Sequence, residues 1–466
     1  MPQTPPRWSV FLIVATGVFM STMDSSMVNI ALPSIMHEFR SSLYVTQWVM
    51  MIYLLTITVS LLFWGHLADR LGRRKIYSLG MLLFGGFSFF CATAPHVSLL
   101  IGCRLGQAMG AAMMMSSGPA IIKENSPSSQ LGRNLGLIGV ATGLGLMTGP
   151  PLSGFLIQYF SWRSIFYITV PIGLLFSILA VVLLPEKPRL EDHKRIDITG
   201  SLGWAVTIIL FMLAISGTAA KTTSYLLAGC CPIALIMFLR HEARIDQPLF
   251  PLNLMRQKIF LAATITALLS FAVLFAVIIM TPFYLDRILA LPASQIGMIM
   301  MSIPLAVMFV SPVAGRLADK IDSQYLTTLG LSISTTSVVL LTNLAAGTSL
   351  PAIAAILAML GAGQAIFLSP NSTSVLGNVD NSQAGVSAGL LATARNLGML
   401  LGVALAGAVF SINFSRLTNG LDMKDFTPAH AGDFLAALHT TFLAAAAVGT
   451  GGIIISWLRG KTRLKE

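Results

Sequence analysis

Ionisable side chains are scarce in this chain: 10% of its 466 residues are charged, against roughly 25% in soluble domains. With 55% of residues hydrophobic, that shortage excludes an ordinary water-exposed fold and points to a polytopic membrane protein. Catalytic and energising signatures are missing as well. There is no G-x-x-x-x-G-K-[ST] loop to hold ATP phosphates and no G-x-S-x-G nucleophile elbow. His241 and Glu242 begin an H-E pair that lacks the second histidine of H-E-x-x-H. The expectation is a protein that is not an enzyme, takes no cofactor and binds no metal. Cysteine is sparse too: Cys91, Cys103, Cys230 and Cys231 lie in or beside apolar runs without metal-ligand spacing, and read as small hydrophobes.

What is present is a series of long apolar runs separated by charged or Gly/Pro/Ser-rich turns. Spans are expected near 10–32, 45–64, 76–94, 97–122, 134–157, 164–184, 199–217, 224–239, 260–281, 296–315, 325–346, 351–373, 385–411 and 436–457. The first run contains Asp24 and lacks a clear cleavage site, so it reads as a first helix rather than a signal peptide. Fourteen spans place both termini on one side. The net charge of +11 follows the same topology, because most lysines and arginines fall in the loops of that side. Only Arg40, Arg163, Lys221, Arg287, Arg416 and Lys424 fall opposite, while Arg104 and Arg395 lie within spans. By the positive-inside bias, the base-rich side and both termini are cytoplasmic, in the inner (plasma) membrane. Nucleic acid is not an expected partner.

The densest charge cluster is Gly65 to Lys75, reading GHLADRLGRRK, one acid and four bases between two apolar runs. It reads as a tight loop in which Gly65 and Gly72 permit turn conformations barred to other residues. Gly65, Leu67, Ala68, Asp69, Arg70, Gly72, Arg73, Arg74 and Lys75 resemble the loop 2-3 signature of the major facilitator superfamily. GRLADK at Gly315 to Lys320 repeats its first half, eight spans later. That spacing fits two six-helix halves separated by a two-helix insertion, with units 1–184, 185–258 and 259–466.

Further stretches extend the resemblance toward the fourteen-helix drug:proton antiporter branch. MDSSMVNIALPSI at Met23 to Ile35 carries Asp24, Asn29, Ala31, Leu32 and Pro33. Arg104, Gln107, Gly110 and Ala111 resemble R-x-x-Q-G, with Ala108 where a glycine is usual. Gly145, Gly149, Pro150 and Gly154 resemble the antiporter motif G-x-x-x-G-P-x-x-G-G, with Ser153 in place of its penultimate glycine. Trp162, Arg163, Phe166, Pro171 and Gly173 follow its usual continuation, with Thr169 where an asparagine is expected. The resemblance implies a proton-coupled exporter of amphipathic small molecules or drugs, whose partners are substrate, protons and the bilayer; it leaves room for an accessory efflux subunit. Uptake by symport or facilitated diffusion on the same fold is the alternative.

Charge buried in a membrane is costly, so Asp24, Arg104 and Arg395 are functional candidates by default. Asp24 falls about 9 Å and Arg104 about 10 Å from the outer face at 1.5 Å per residue, so the two are level. The resemblance implies that helices one and four both line the central cavity, which makes Asp24 and Arg104 the expected coupling pair, with Asn29, Gln107 and Arg395 as candidate cavity residues. Met113, Met114 and Met115 read better as packing than as an adaptable binding surface.

Overall fold

The structure is a computed structural model that describes residues 7–126, 130–185, 197–215, 221–245, 252–318, 320–377 and 384–460. Its first bundle comprises α1 (Arg7–Phe39), α2 (Leu43–Leu71), α3 (Arg73–Ala92), α4 (Val97–Asn125) and α5 (Leu131–Tyr159). A sixth span, interrupted at Ile168, forms α6 (Ser164–Tyr167) and α7 (Thr169–Leu183). The pair α8 (Ile198–Ile215) and α9 (Lys221–Glu242) follows, then a single turn, α10 (Leu252–Met255). The second bundle is α11 (Lys258–Arg287), a span interrupted at Met301 to give α12 (Ala293–Met300) and α13 (Ser302–Ala318), then α14 (Ser323–Leu341), α15 (Leu350–Gly377), α16 (Ala384–Leu417) and α17 (Ala431–Leu458).

Each of the fourteen expected spans is therefore a helix, two of them interrupted. Among the described residues, 12 of them are long and apolar enough to cross a membrane by length and composition, Lys221–Glu242 and Ser323–Leu341 being the two outside that set. Ser323–Leu341 falls outside that set because of its serines and threonines, whose hydroxyls turn back onto carbonyls four residues earlier, as Thr328 does onto Gln324 and Ser332 onto Thr328. The expected linker beginning at Pro185 lies, beyond that proline, outside the described residues, as does Asp319 of the repeated motif.

The helices outrun the apolar runs that announced them. At 1.5 Å per residue, the 29 residues of α2 extend about 43 Å, beyond a hydrocarbon core of ~30 Å. The stretch at Gly65 to Lys75 is accordingly not an eleven-residue loop. Helix α2 runs through Leu71, α3 begins at Arg73, and Gly72 alone makes the turn, at φ 101°. Only that glycine needs its conformational freedom. Gly65 is helical, with Ser116 of α4 the nearest side chain to its absent Cβ at 3.9 Å.

Glycines set the closest helix approaches within the first bundle. A Cβ on Gly110 would lie 2.5 Å from the carbonyl oxygen of Gly80, and one on Gly173 would lie 2.8 Å from the Cα of Gly85. These crossings lock α3 against α4 and α7, in the way small residues let membrane helices meet. Met113 and Met114 are buried in the same packing.

The bundles meet through α5 against α12 and α2 against α16, while α8 packs on α9, α2 and α16. Helix α5 holds α12 closely but barely touches α13. The contact is thus made at the end opposite the charged turn, and the two helices splay toward the charged end. Gly139 and Gly143, in the splayed part of α5, have no neighbour within 4 Å of an added Cβ.

Candidate functional site

Asp24 of α1 and Arg104 of α4 meet in the middle of the first bundle. Arg104 Nη1 donates to Asp24 Oδ2 at 2.5 Å, and the two side chains are 0% and 1% exposed. Gln107, one turn along α4, completes a triangle: its Nε2 donates to Asp24 Oδ1 at 2.9 Å and its Oε1 accepts from Arg104 Nη1 at 2.6 Å. That Nε2 also reaches Ser88 Oγ of α3 at 2.8 Å. Arg104 Nε donates to the carbonyl of Val49 on α2 at 3.2 Å, and the guanidinium lies 4.2 Å from the ring centroid of Tyr53. Phe166 closes the other side at 5.7 Å. Tyr53 is itself tied to the Ser21 carbonyl at 3.2 Å. One carboxylate thus gathers donors from a single helix turn, and α1, α2, α3, α4 and α6 converge on it.

Expected residues are therefore brought together, but in a sealed place. Gln107 was expected to line a cavity; instead it is wholly buried among these groups. Asn29 is buried as well, with Oδ1 lacking a hydrogen-bond partner. Tyr53 and Ser88 were missed by sequence reasoning; the only signals were a tyrosine in mid-span and a serine among the phenylalanines of α3.

The glycine motif of α5 divides by direction. Gly145 and Gly149 face α1, where an added Cβ would meet Thr22 Oγ1 at 2.2 Å and Ser26 Oγ at 2.7 Å. Gly154 and Pro150 face the other bundle: a Cβ on Gly154 would lie 2.4 Å from the Ala293 carbonyl oxygen, and one on Gly297 would lie 2.2 Å from that of Pro150. Ser153, the departure from the motif, is buried and donates to the Met27 carbonyl at 2.9 Å. The departure replaces a small gap with a hydrogen bond to α1.

At the charged turn, Asp69 Oδ1 bonds Arg73 Nη2 at 2.7 Å, and Arg73 Nη1 reaches Glu124 of α4 at 2.6 Å. Arg74 donates to the carbonyl of Val181, in the last turn of α7, where a cation complements the helix dipole. Arg70 is exposed. The partner of Asp69 belongs to its own bundle. At the opposite end of α1, Glu38 accepts from Trp162 Nε1 at 2.5 Å and pairs with Arg163.

In the second bundle, Arg395 has no paired acid among the described residues. Arg395 of α16 donates from Nη2 to Ser372 Oγ of α15 at 2.8 Å and has its Cζ 5.9 Å from the ring centroid of Phe271 on α11. Its Nε is buried without an acceptor, although the residue keeps partial exposure. Arg459, counted with the loop bases from sequence, is 4% exposed and donates to Asn371 Oδ1 at 3.0 Å and Thr327 Oγ1 at 3.2 Å. No cluster able to hold a metal ion occurs among the described residues.

Comparison with known proteins places this arrangement. The family profile described as Major Facilitator Superfamily matches residues 14–403. The chain is 33% identical over 456 residues to the riboflavin transporter RibZ of Clostridioides difficile, covering 98% of each protein. It is 28% identical to the multidrug resistance protein Stp of Mycobacterium tuberculosis, covering 87% of this chain and 76% of that one. Its fold matches a bacterial homologue of the human lysosomal transporter Spinster in an inward-facing, unoccupied conformation, with a TM-score of 0.73 over 97% of this chain and 96% of the other at 17% identity. The run of membrane-spanning helices, the signature turn and these relatives lead to one conclusion: the chain belongs to the Major Facilitator Superfamily and is a transporter, not an enzyme.

Proposed function

We propose that the protein is a proton-coupled exporter of amphipathic small molecules across the inner membrane, with both termini cytoplasmic. Residues 1–184 and 259–466 rock as two halves about a midplane site, and 185–258 carries the inserted helices. The observation that carries the reading is the buried Asp24–Arg104–Gln107 triangle. A lone carboxylate inside a membrane is costly, and one held by a guanidinium is stable only while the two helices stay together. Asp24 is ionised while paired and takes up a proton when rocking or substrate parts α1 from α4. Arginine suits the role because it stays charged throughout. A proton entering across 100 mV releases ~2.3 kcal/mol, which supports roughly fortyfold accumulation at ~1.4 kcal/mol per decade.

The test is transport in proteoliposomes with an imposed proton gradient. Asp24→Asn should abolish uphill export while leaving downhill exchange, and Arg104→Lys should impair coupling less than Arg104→Ala, because charge survives although the planar fork does not. If Asp24→Asn still pumps uphill and releases protons on substrate addition, the coupling residue lies elsewhere.

A second reading rests on the relative named as a riboflavin transporter, which matches this chain nearly end to end. In it the substrate is a flavin or similar heteroaromatic, moved in either direction. Riboflavin flux measured with both orientations of the gradient separates the two readings.

A further inference from the structure

From the setting of Arg395 we infer that the second bundle carries an anion-recognition site, in which the guanidinium of Arg395 binds an oxyanion of the transported molecule. The inference rests on the reading of the chain as a carrier of amphipathic solutes and adds the charge of the solute.

The membrane helices of the second bundle contain only two acids, Asp286 and Asp433. Asp286 is in the last turn of α11 and Asp433 in the first turn of α17, both at the end opposite the charged turn. Arg395 lies eleven positions into α16 from the charged end, about 16 Å along the helix. Phe271, beside it, precedes Asp286 by fifteen positions on α11, about 22 Å. Neither acid reaches Arg395, and among the described residues no carboxylate pairs with it.

A guanidinium has five N–H donors, and here one hydroxyl, Ser372 Oγ, accepts from it while Nε is buried with no acceptor. A purely structural arginine in a membrane would be expected to find an acid or several carbonyls, as Arg104 does with Asp24, Gln107 and Val49. Arg395 does not, and it is not sealed: it retains partial exposure, and α15 and α16, between which it reaches Ser372, touch only lightly. The side chain turns toward α15 and α11, the helices of its two contacts. A planar fork with free donors selects a carboxylate, sulfonate or phosphate oxygen pair. Phe271 places an aromatic face beside the charge, so the preferred solute joins one oxyanion to a flat apolar body.

The experiment uses the full-length protein in lipid nanodiscs and three probes with one ring system: naphthalene-2-carboxylate, naphthalene-2-methanol and naphthalene-2-methylammonium. Calorimetric titration at fixed pH needs neither a gradient nor a direction, so a protein that binds but does not export fails the export reading alone. The carboxylate is expected to bind roughly tenfold or more tighter than the alcohol, the scale of one charge-assisted hydrogen-bonded pair. Arg395→Gln should erase that preference, and Arg395→Lys should keep part of it. If Arg395→Gln does not yield folded protein, the partial loss in Arg395→Lys carries the test. Equal binding of carboxylate and alcohol, tighter binding of the ammonium, an unaltered preference in Arg395→Lys and Arg395→Gln, or binding of none of the three up to their solubility limits would each overturn the inference.

Discussion

The two bundles treat an intramembrane arginine in opposite ways. In the first, Arg104 is wholly buried, paired with Asp24, bonded to Gln107 and Val49 and stacked on Tyr53. In the second, Arg395 has one hydroxyl, a ring at 5.9 Å and, among the described residues, no acid. Sequence-level reasoning treats both as costly charges to be explained by function, yet the structure separates them. The first charge is neutralised by the protein itself, so whatever it does must involve breaking that pair. The second has no such neutralising partner among the described residues. On the reading proposed above, a carrier that couples two fluxes uses both kinds of site, one in each bundle.

Removing each arginine therefore gives the largest contrast. Arg104→Ala leaves Asp24 buried and unpaired, which should lower stability by ~3–5 kcal/mol. Arg395→Gln removes a charge without orphaning a partner, and stability should stay within about 1 kcal/mol of the parent or rise. Equilibrium unfolding in mixed micelles reads both. Equal losses would erase the distinction between the sites and make Arg395 a structural residue like its counterpart.

Glycines allow a finer version of the comparison, because Gly110 acts inside a bundle and Gly154 between bundles. Gly110→Ala drives a Cβ to within 2.5 Å of the Gly80 carbonyl, a fixed backbone atom, and should cost about 1–3 kcal/mol of folding stability. Gly154→Ala meets the Ala293 carbonyl at 2.4 Å, but the bundles relieve that clash by parting. Its expected effect is a shift toward the conformation open at that end, read as increased labelling of a cysteine placed at Ser294, with near-normal unfolding. Loss of stability in Gly154→Ala, without a change in labelling, would show that α5 and α12 do not separate.

How much of this was legible depended on the range of the interaction. Fourteen spans and the equal depth of Asp24 and Arg104 follow from apolar run length and helical rise, which are local quantities; that their two helices adjoin came from the family resemblance. The seal around the pair was not legible, because Tyr53, Ser88 and Phe166 come from three other helices and carry no charge to mark them. Arg459 misled for the opposite reason: its position just past an apolar run looks topological, and only the fold shows Asn371 and Thr327 closing over it. Helix ends were misjudged at Gly65 to Lys75 because charge excludes a segment from lipid but not from a helix. The i,i+4 pair of Asp69 with Arg73 spans the turn at Gly72, tying α2 to α3.

The smallest expected stability effect belongs to that pair. Asp69 is 48% exposed, and Arg73 keeps Glu124 at 2.6 Å when the aspartate is neutralised, so Asp69→Asn should change stability by less than about 1 kcal/mol, as exposed ion pairs usually do. Transport should respond more than stability. The charged end is the one toward which α5 and α13 splay, so closing it brings the second bundle toward Asp69, which is exposed enough to exchange Arg73 for a base or helix N-terminus there. Loss of the carboxylate then weakens the closed state alone. The expected result is transport slowed several-fold at normal abundance, with the defect shrinking as salt screens the exchanged contact. A transport rate equal to the parent, at matched abundance and low salt, would leave Asp69 as part of a topology signal and place the whole control of rocking in the buried pair and the α5–α12 contact.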